Sequence, residues 1–358
     1  MLIVPLISDP NILPERICAI VPAYNEAAVL LTSLSSLAQT VAPEHIYVVS
    51  DGSKDKTADI ARQITNNVLA LKKNRGKAGA LAILIEKYQL TERYDYLMFY
   101  DADSRLLPGF AQAVAAQLAL RPACIVGTVT SDRHGIVSAY RTYEYGLTHR
   151  LFKRAQNEMG TITVAPGCAS LYRSDVVKQL EFSTRTITED FDLTIQIYNK
   201  KLGRLVYVPE ARVLTQDPGT IADYWKQVTR WYTGYWQNIF LHKLYVPKGR
   251  INFEIILQVT DGAAWVGSVI LALTHPETFL HLIGMVYLIV CGLSLFILSL
   301  ERAFWAMLYM PFFPIFQVIN LTSYILSFFR ALGKRKITWQ KVDRYTLSTG
   351  LNPVIAEK

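Results

Sequence analysis

Two long apolar runs, at about residues 253–273 and 279–299, constrain this chain more than anything else in it. As a helix, each would span roughly 30 Å, enough to cross a bilayer. Glu254 and Asp261 lie in the first run and would have to face protein or water. A third stretch, 303–329, is interrupted by Pro311-Phe-Phe-Pro314, which predicts two half-helices or one kinked span. Beyond it, Arg330, Lys334, Arg335, Lys336, Lys341 and Arg344 stand against a single acid, Asp343. The positive-inside rule places that basic tail in the cytoplasm. The start, Met1-Leu-Ile-Val-Pro-Leu-Ile7, is too short for a signal peptide and lacks its basic flank. The polar part of the chain is therefore expected on the cytoplasmic side too, with an even number of crossings.

Before about residue 250 the composition is that of a mixed globular domain. The net charge of +8 comes without the aromatic-basic pattern of a nucleic-acid module. A basic surplus beside apolar spans fits contact with anionic lipid instead. Cys18, Cys124, Cys168 and Cys291 are scattered, with no CxxC pair and no histidine at ligand spacing. Neither a disulfide framework nor a zinc site is indicated.

Strands and helices alternate from Arg16. A short apolar strand ends at Pro22, and Asn25 is placed to cap a helix running toward Gln39. Ile46–Val49 is a second strand, leading into Ser50-Asp-Gly-Ser53, and 68–71 a third, leading through Lys72–Arg75 into a helix ending near Tyr88. Leu97-Met-Phe-Tyr-Asp-Ala-Asp-Ser104 is an apolar strand running straight into two carboxylates. This order predicts a mostly parallel sheet with right-handed crossovers. Asp51, Asp101 and Asp103 would then lie at its carboxyl edge, where open α/β sheets bind ligands. If strand geometry persists, Asp101 and Asp103 point to the same side and suit Mg²⁺ or Mn²⁺ together with substrate phosphates. A solvated turn would read the same way. No GxGxxG or GxxxxGK[ST] is present, which leaves dinucleotide and P-loop readings weak.

A further strand is expected over 123–129, a long helix over 138–159, and a turn at 163–170 into a short strand at 171–173. Thr188-Glu-Asp190 opens a helix, with Thr188 as cap and the acids favoured by the helix dipole. Between Tyr224 and Leu244 lie Trp225, Trp231 and Trp236 among tyrosines and basic residues, the profile of a helix in the membrane interface or of an aromatic core helix.

Taken in order, these segments resemble the family 2 inverting glycosyltransferases of GT-A fold, and within them the membrane synthases of the cellulose, hyaluronan and poly-N-acetylglucosamine type. The resemblance rests on Pro22-Ala-Tyr-Asn-Glu26, Asp51-Gly-Ser53, Gly76-Lys-Ala-Gly-Ala-Leu81, Asp101-Ala-Asp103, Pro166-Gly-Cys-Ala-Ser170, Thr188-Glu-Asp190 and Gln227-Val-Thr-Arg-Trp231. It implies a Rossmann-like catalytic domain followed by interfacial and transmembrane helices. Tyr24, Glu26 and Asp51 would hold the base and ribose of a UDP-sugar, and Lys77 would approach the nucleotide. Asp101 would touch the ribose or metal-bound water, and Asp103 would bind Mg²⁺ or Mn²⁺. Asp190 would be the general base. Gln227 and Arg230 would meet the diphosphate, with Trp231, Cys168 and Glu189 on the acceptor side.

The expected layout is a leader over 1–15, a catalytic domain over 16–222, an amphipathic interface helix over 223–247, transmembrane helices over 250–332 and a basic cytoplasmic tail over 333–358. The activity implied is extension of a polysaccharide from a UDP-sugar. The alternative is transfer of one sugar to a lipid or polyprenyl-phosphate acceptor, favoured by the lack of helices before the catalytic domain. Few spanning helices would enclose a polymer channel only in a homo-oligomer or with a partner subunit. Trp339-Gln-Lys-Val-Asp-Arg344 loosely resembles the gating segment of such synthases. A membrane scaffold or transporter would have no use for the ordered acids.

Overall fold

The computed structural model describes residues 11–132, 135–246 and 249–333. The Trp339–Arg344 segment and the basic tail beyond Gly333 lie outside these residues. The described chain forms two compact units, one of residues 11–132 with Val164–Gln216, the other of residues 135–163 with 217–333.

The first unit is built on one eight-stranded sheet of order β3-β2-β1-β4-β7-β6-β8-β5. Its strands are β1 (Ile17–Ala23), β2 (Ile46–Ser50), β3 (Val68–Ala70), β4 (Tyr96–Phe99), β5 (Arg105–Leu106), β6 (Cys124–Ser131), β7 (Ser170–Arg173) and β8 (Leu205–Thr215). β3, β2, β1 and β4 run parallel, as do β6 and β8. Ile17–Val21 and Ile46–Val49 are buried throughout, as expected of strands covered on both faces.

β7 enters antiparallel between β4 and β6. Its register pairs Ser170 with Phe99, so the turn that precedes β7 sits at the same edge where β4 ends. The strand expected at 171–173 is β7, whereas β8 went unread from sequence. Its apolar alternation breaks at Pro209-Glu210, and its ladder with β6 shifts register between Val126 and Thr128. Gly127 sits at that shift, where an added Cβ would fall 2.5 Å from the Ala211 carbonyl oxygen.

Two local expectations are corrected here. The first helix is only Leu30–Leu37, and Asn25 does not cap it. Asn25 is left-handed, with φ of 54°, and its side-chain oxygen accepts from the Lys54 backbone N–H at 2.8 Å. An Asx side chain tolerates that backbone region, and here its oxygen ties the loop to the one after β2. The strand carrying the acids ends at Phe99, so Asp101 and Asp103 belong to a turn closed by Ser104 N–H donating to the Asp101 carbonyl at 3.1 Å.

The second unit is helical. The long helix expected over 138–159 is present as Gly135–Leu147 and Lys153–Met159, joined by a π-helical turn over Thr148–Phe152. The helix Ile221–His242 carries the QxxRW signature, followed by helices Arg250–Thr274, Pro276–Leu300 and Phe313–Leu332. The stretch 303–329 is interrupted at its prolines, into a short helix Phe304–Met307 and the long helix Phe313–Leu332. Pro311 lies in a 3₁₀ turn, and Pro314 in the first turn of the last helix, where a missing N–H costs nothing.

Tyr140, Tyr143, Tyr224, Phe313 and Phe316 form the aromatic centre of this unit, with Tyr140 stacked on Phe316 at 4.4 Å. A polar ladder ties the signature helix to the last helix. Thr229 and Thr233 donate to Ser323 and Ser327 at 3.0 Å each, and Tyr224 donates to Asn320 at 2.8 Å. Glu254 accepts from Gln156 at 3.0 Å and Gln258 at 3.3 Å, so it faces protein as its position required, while the Asp261 side chain lies outside the described residues. By length and composition, Pro276–Leu300 and Met310–Leu332 are apolar enough to cross a membrane; Arg250–Thr274 falls outside that set. Leu280, Leu288, Val318 and Phe329 stand at least 63% exposed on these two segments.

Candidate active site

The site grows from the ends of β1, β2 and β4. Asp51 N–H donates to the Ala23 carbonyl at 2.8 Å, and Asn25 N–H to Ser53 Oγ at 3.0 Å. The loop holding Tyr24 and Glu26 is thereby laced to the Asp51 loop. Asp51 is buried, and its Oδ1 accepts from the Arg75 N–H at 2.7 Å. Burial raises its pKa, against the pull of the Arg75 and Gly76 backbone donors. Gly52 has φ of 70°, and a Cβ there would fall 2.6 Å from the Asn74 backbone nitrogen. Only glycine lets these loops approach so closely. Their contact fixes the start of helix Gly76–Lys87 and so the position of Lys77.

Lys77 Nζ lies 2.7 Å from Asp101 Oδ1 and 2.8 Å from Glu189 Oε1. Burial works to lower its pKa, but Asp101, Glu189 and Asp190 outweigh it and hold the ammonium well above its ordinary range. Glu189 and Asp190 open the helix Glu189–Asn199. Thr194 Oγ of that helix accepts from the Ala165 N–H at 3.0 Å, so the Pro166-Gly-Cys168 turn is pinned beside the acids. Thr188 occupies the cap position, but its side chain makes no capping bond.

Asp190 is half-buried, and Oδ1 accepts from the Phe191 N–H at 2.8 Å. Burial, then the charge of Glu189, pushes its carboxyl up to about 6, against Lys77. A carboxylate poised there holds and releases a proton near neutral pH. Cys168 is buried; burial and the neighbouring Asp101 and Asp103 push its thiol up, which keeps it protonated and inert.

Asp103 is 7% exposed and Asp101 more open, giving two hard oxygen donors one residue apart. Among the described residues no group of three or more His, Cys, Asp or Glu could hold a metal by itself. That donor set fits Mg²⁺ or Mn²⁺, which bind through one or two carboxylates plus substrate phosphates.

Gln227, Arg230 and Trp231 lie on Ile221–His242, in the second unit. There Gln227 Oε1 accepts from Arg141 Nη2 at 2.5 Å, and the Trp231 ring lies 4.5 Å from the same guanidinium. Arg141 was not anticipated. The available signal was a lone cation inside Tyr140-Arg-Thr-Tyr-Glu-Tyr145.

Comparison with known proteins bears on the family and the fold. Residues 14–234 match the family described as glycosyltransferase like family 2. A poly-β-1,6-N-acetyl-D-glucosamine synthase of Staphylococcus epidermidis is 27% identical, over 92% of this chain and 88% of its own. The same-named protein of Staphylococcus aureus strain COL is 29% identical over 62% of this chain and 54% of its own. Among solved structures, a mannosyltransferase from Pyrobaculum calidifontis in complex with GDP-mannose and Mn²⁺ superposes with a TM-score of 0.59 at 16% identity, over 92% of this chain and 90% of that one. That likeness speaks to the fold. With the match running from β1 to the signature helix, the chain belongs to glycosyltransferase family 2 and is a sugar-transferring enzyme.

Proposed function

We propose that this enzyme extends a β-linked polysaccharide from a UDP-sugar, with inversion at the anomeric carbon. The observation that carries the reading is the placement of Asp190 in the first turn of helix Glu189–Asn199, next to Glu189, which Lys77 contacts at 2.8 Å. Asp190 takes the proton of an acceptor hydroxyl as that oxygen attacks the sugar in line with the departing diphosphate. Asp103, with Asp101, would hold the divalent cation, which neutralises charge on the leaving diphosphate when bound. Lys77 bridges Asp101 and Glu189 and supplies positive charge next to them. Tyr24, Glu26 and Asp51 would receive the base and ribose, and Cys168 would line the acceptor side. Gln227 and Arg230 would donate to phosphate oxygens, the planar guanidinium fork suiting such acceptors, and Trp231 would stack on the acceptor.

The polymer product is favoured by the poly-N-acetylglucosamine synthases that match most of this chain. Metal dependence is supported by the acid pair and by the Mn²⁺ in the mannosyltransferase of like fold. The helices Pro276–Leu300 and Met310–Leu332 would anchor the enzyme in lipid, with its polar part in the cytoplasm.

The test is a product assay on detergent-purified protein with Mg²⁺ or Mn²⁺ and radiolabelled UDP-sugars, resolving products by size and by lipid extraction. A high-molecular-weight glycan is expected. A single sugar on an extracted lipid would instead make this a non-processive transferase.

A further inference from the structure

Arg141, in the helix Gly135–Leu147, has no exposed surface. A buried guanidinium is costly unless its charge and donors are met. Nη1 donates to Glu144 and Nη2 to Gln227 Oε1. Its faces meet aromatic rings, Trp231 at 4.5 Å, Tyr224 at 4.6 Å and Tyr145 at 5.6 Å. Gln227 and Trp231 are the first and last residues of the QxxRW signature and, four positions apart on a helix, share one side. Two of the three signature side chains therefore also form the seat of a cation from another helix.

The contact has a chemical consequence. Arginine carries donors only, so the amide atom facing it must be the oxygen, which fixes an orientation that an amide's shape leaves open. Gln227 Nε2 is turned away from Arg141. It makes no hydrogen bond to any described residue, and the side chain is only half-buried. Its two N–H groups thus remain for an acceptor such as a phosphate oxygen.

We propose that Arg141 is a positioning residue for sugar transfer: by holding Oε1 of Gln227 and the Trp231 indole, it presents Gln227 as a donor to the diphosphate. The proposal rests on that reading of Gln227. Lysine would not substitute, because one compact ammonium cannot serve Glu144, Gln227 and flanking rings in one plane.

The test is a double-mutant cycle on the full chain in detergent, reading UDP affinity by calorimetry with Mn²⁺ and thermal melting alongside. Arg141→Lys and Gln227→Met should each melt cooperatively and weaken UDP binding about tenfold, the scale of one charge-assisted hydrogen bond. The double variant should bind no worse than Gln227→Met alone. Gln227→Glu gives a second check, since it keeps an acceptor for Arg141 and removes the amine; it should fold and still lose affinity. Additive losses in the double variant would overturn the Arg141 step while leaving Gln227's own role standing. Unchanged affinity in both Gln227 variants would overturn the reading of Gln227, and the proposal with it.

Discussion

The ammonium of Lys77 stands in the space that a side chain on Gly167 would need: a Cβ there would fall 2.6 Å from Nζ. The obstacle is the far end of a flexible chain, so a methyl group would move the ammonium and spare the fold. Gly167→Ala should melt like the parent yet displace Lys77 from Asp101 and Glu189. Turnover should drop about tenfold or more, the worth of one charge-assisted contact. Steady-state rates beside a melting curve check this, and an unaffected rate would show that Lys77 need not sit there.

Asp190→Asn removes the proposed base while keeping the size and polarity of the side chain. Transfer should fall by about 10²- to 10⁴-fold, the usual contribution of a positioned base. UDP should still bind in the presence of Mn²⁺. Loss of UDP binding would reassign Asp190 to the nucleotide.

Acid should slow the enzyme as pH falls through about 6, because the Asp190 carboxyl, as the proposed base, then already holds a proton. The stability term runs the other way. A folded pKa above the unfolded one gives stability that is full below the ordinary carboxylate pKa and is lost as pH rises through about 6. Since Glu189 raises the Asp190 pKa, Glu189→Gln should move the acid limb of kcat to lower pH. A pH–rate profile of both proteins decides it, and an unmoved limb would point to a different titrating group.

Asp103→Ala should abolish the Mn²⁺ dependence of UDP binding. Calorimetry with metal and with EDTA should give the same weak affinity for this variant, whereas the parent should bind more tightly with metal. A variant that still responds to metal would place the cation elsewhere.

The loops carrying Tyr24, Asp51 and Asp101 were legible because each must leave a buried parallel strand and turn at the sheet edge. The alternation of apolar strand, polar loop and helix marks such places directly. What escaped sequence reading was long-range. β7 lies between β4 and β6 by register with Phe99, which no local pattern encodes. β8 was hidden by Pro209 interrupting its period. Asn25 looked like a helix cap, yet its oxygen went to Lys54 in a neighbouring loop. The signature Gln227-Val-Thr-Arg-Trp231 was plain as a string, whereas its partner Arg141 comes from a helix more than eighty residues earlier.

The hydroxyl ladder from Thr229 and Thr233 to Ser323 and Ser327 bears on how the enzyme is made. The ribosome releases the signature helix some ninety residues before the helix that completes its hydrogen bonds, a separation fixed by those pairs. Until Phe313–Leu332 has emerged and docked, four hydroxyls and the Trp236 indole N–H lack their final partners. The signature helix is thus finished only by the last helix described, and a chain truncated before it would carry the Gln227–Trp231 motif without the support that orders it.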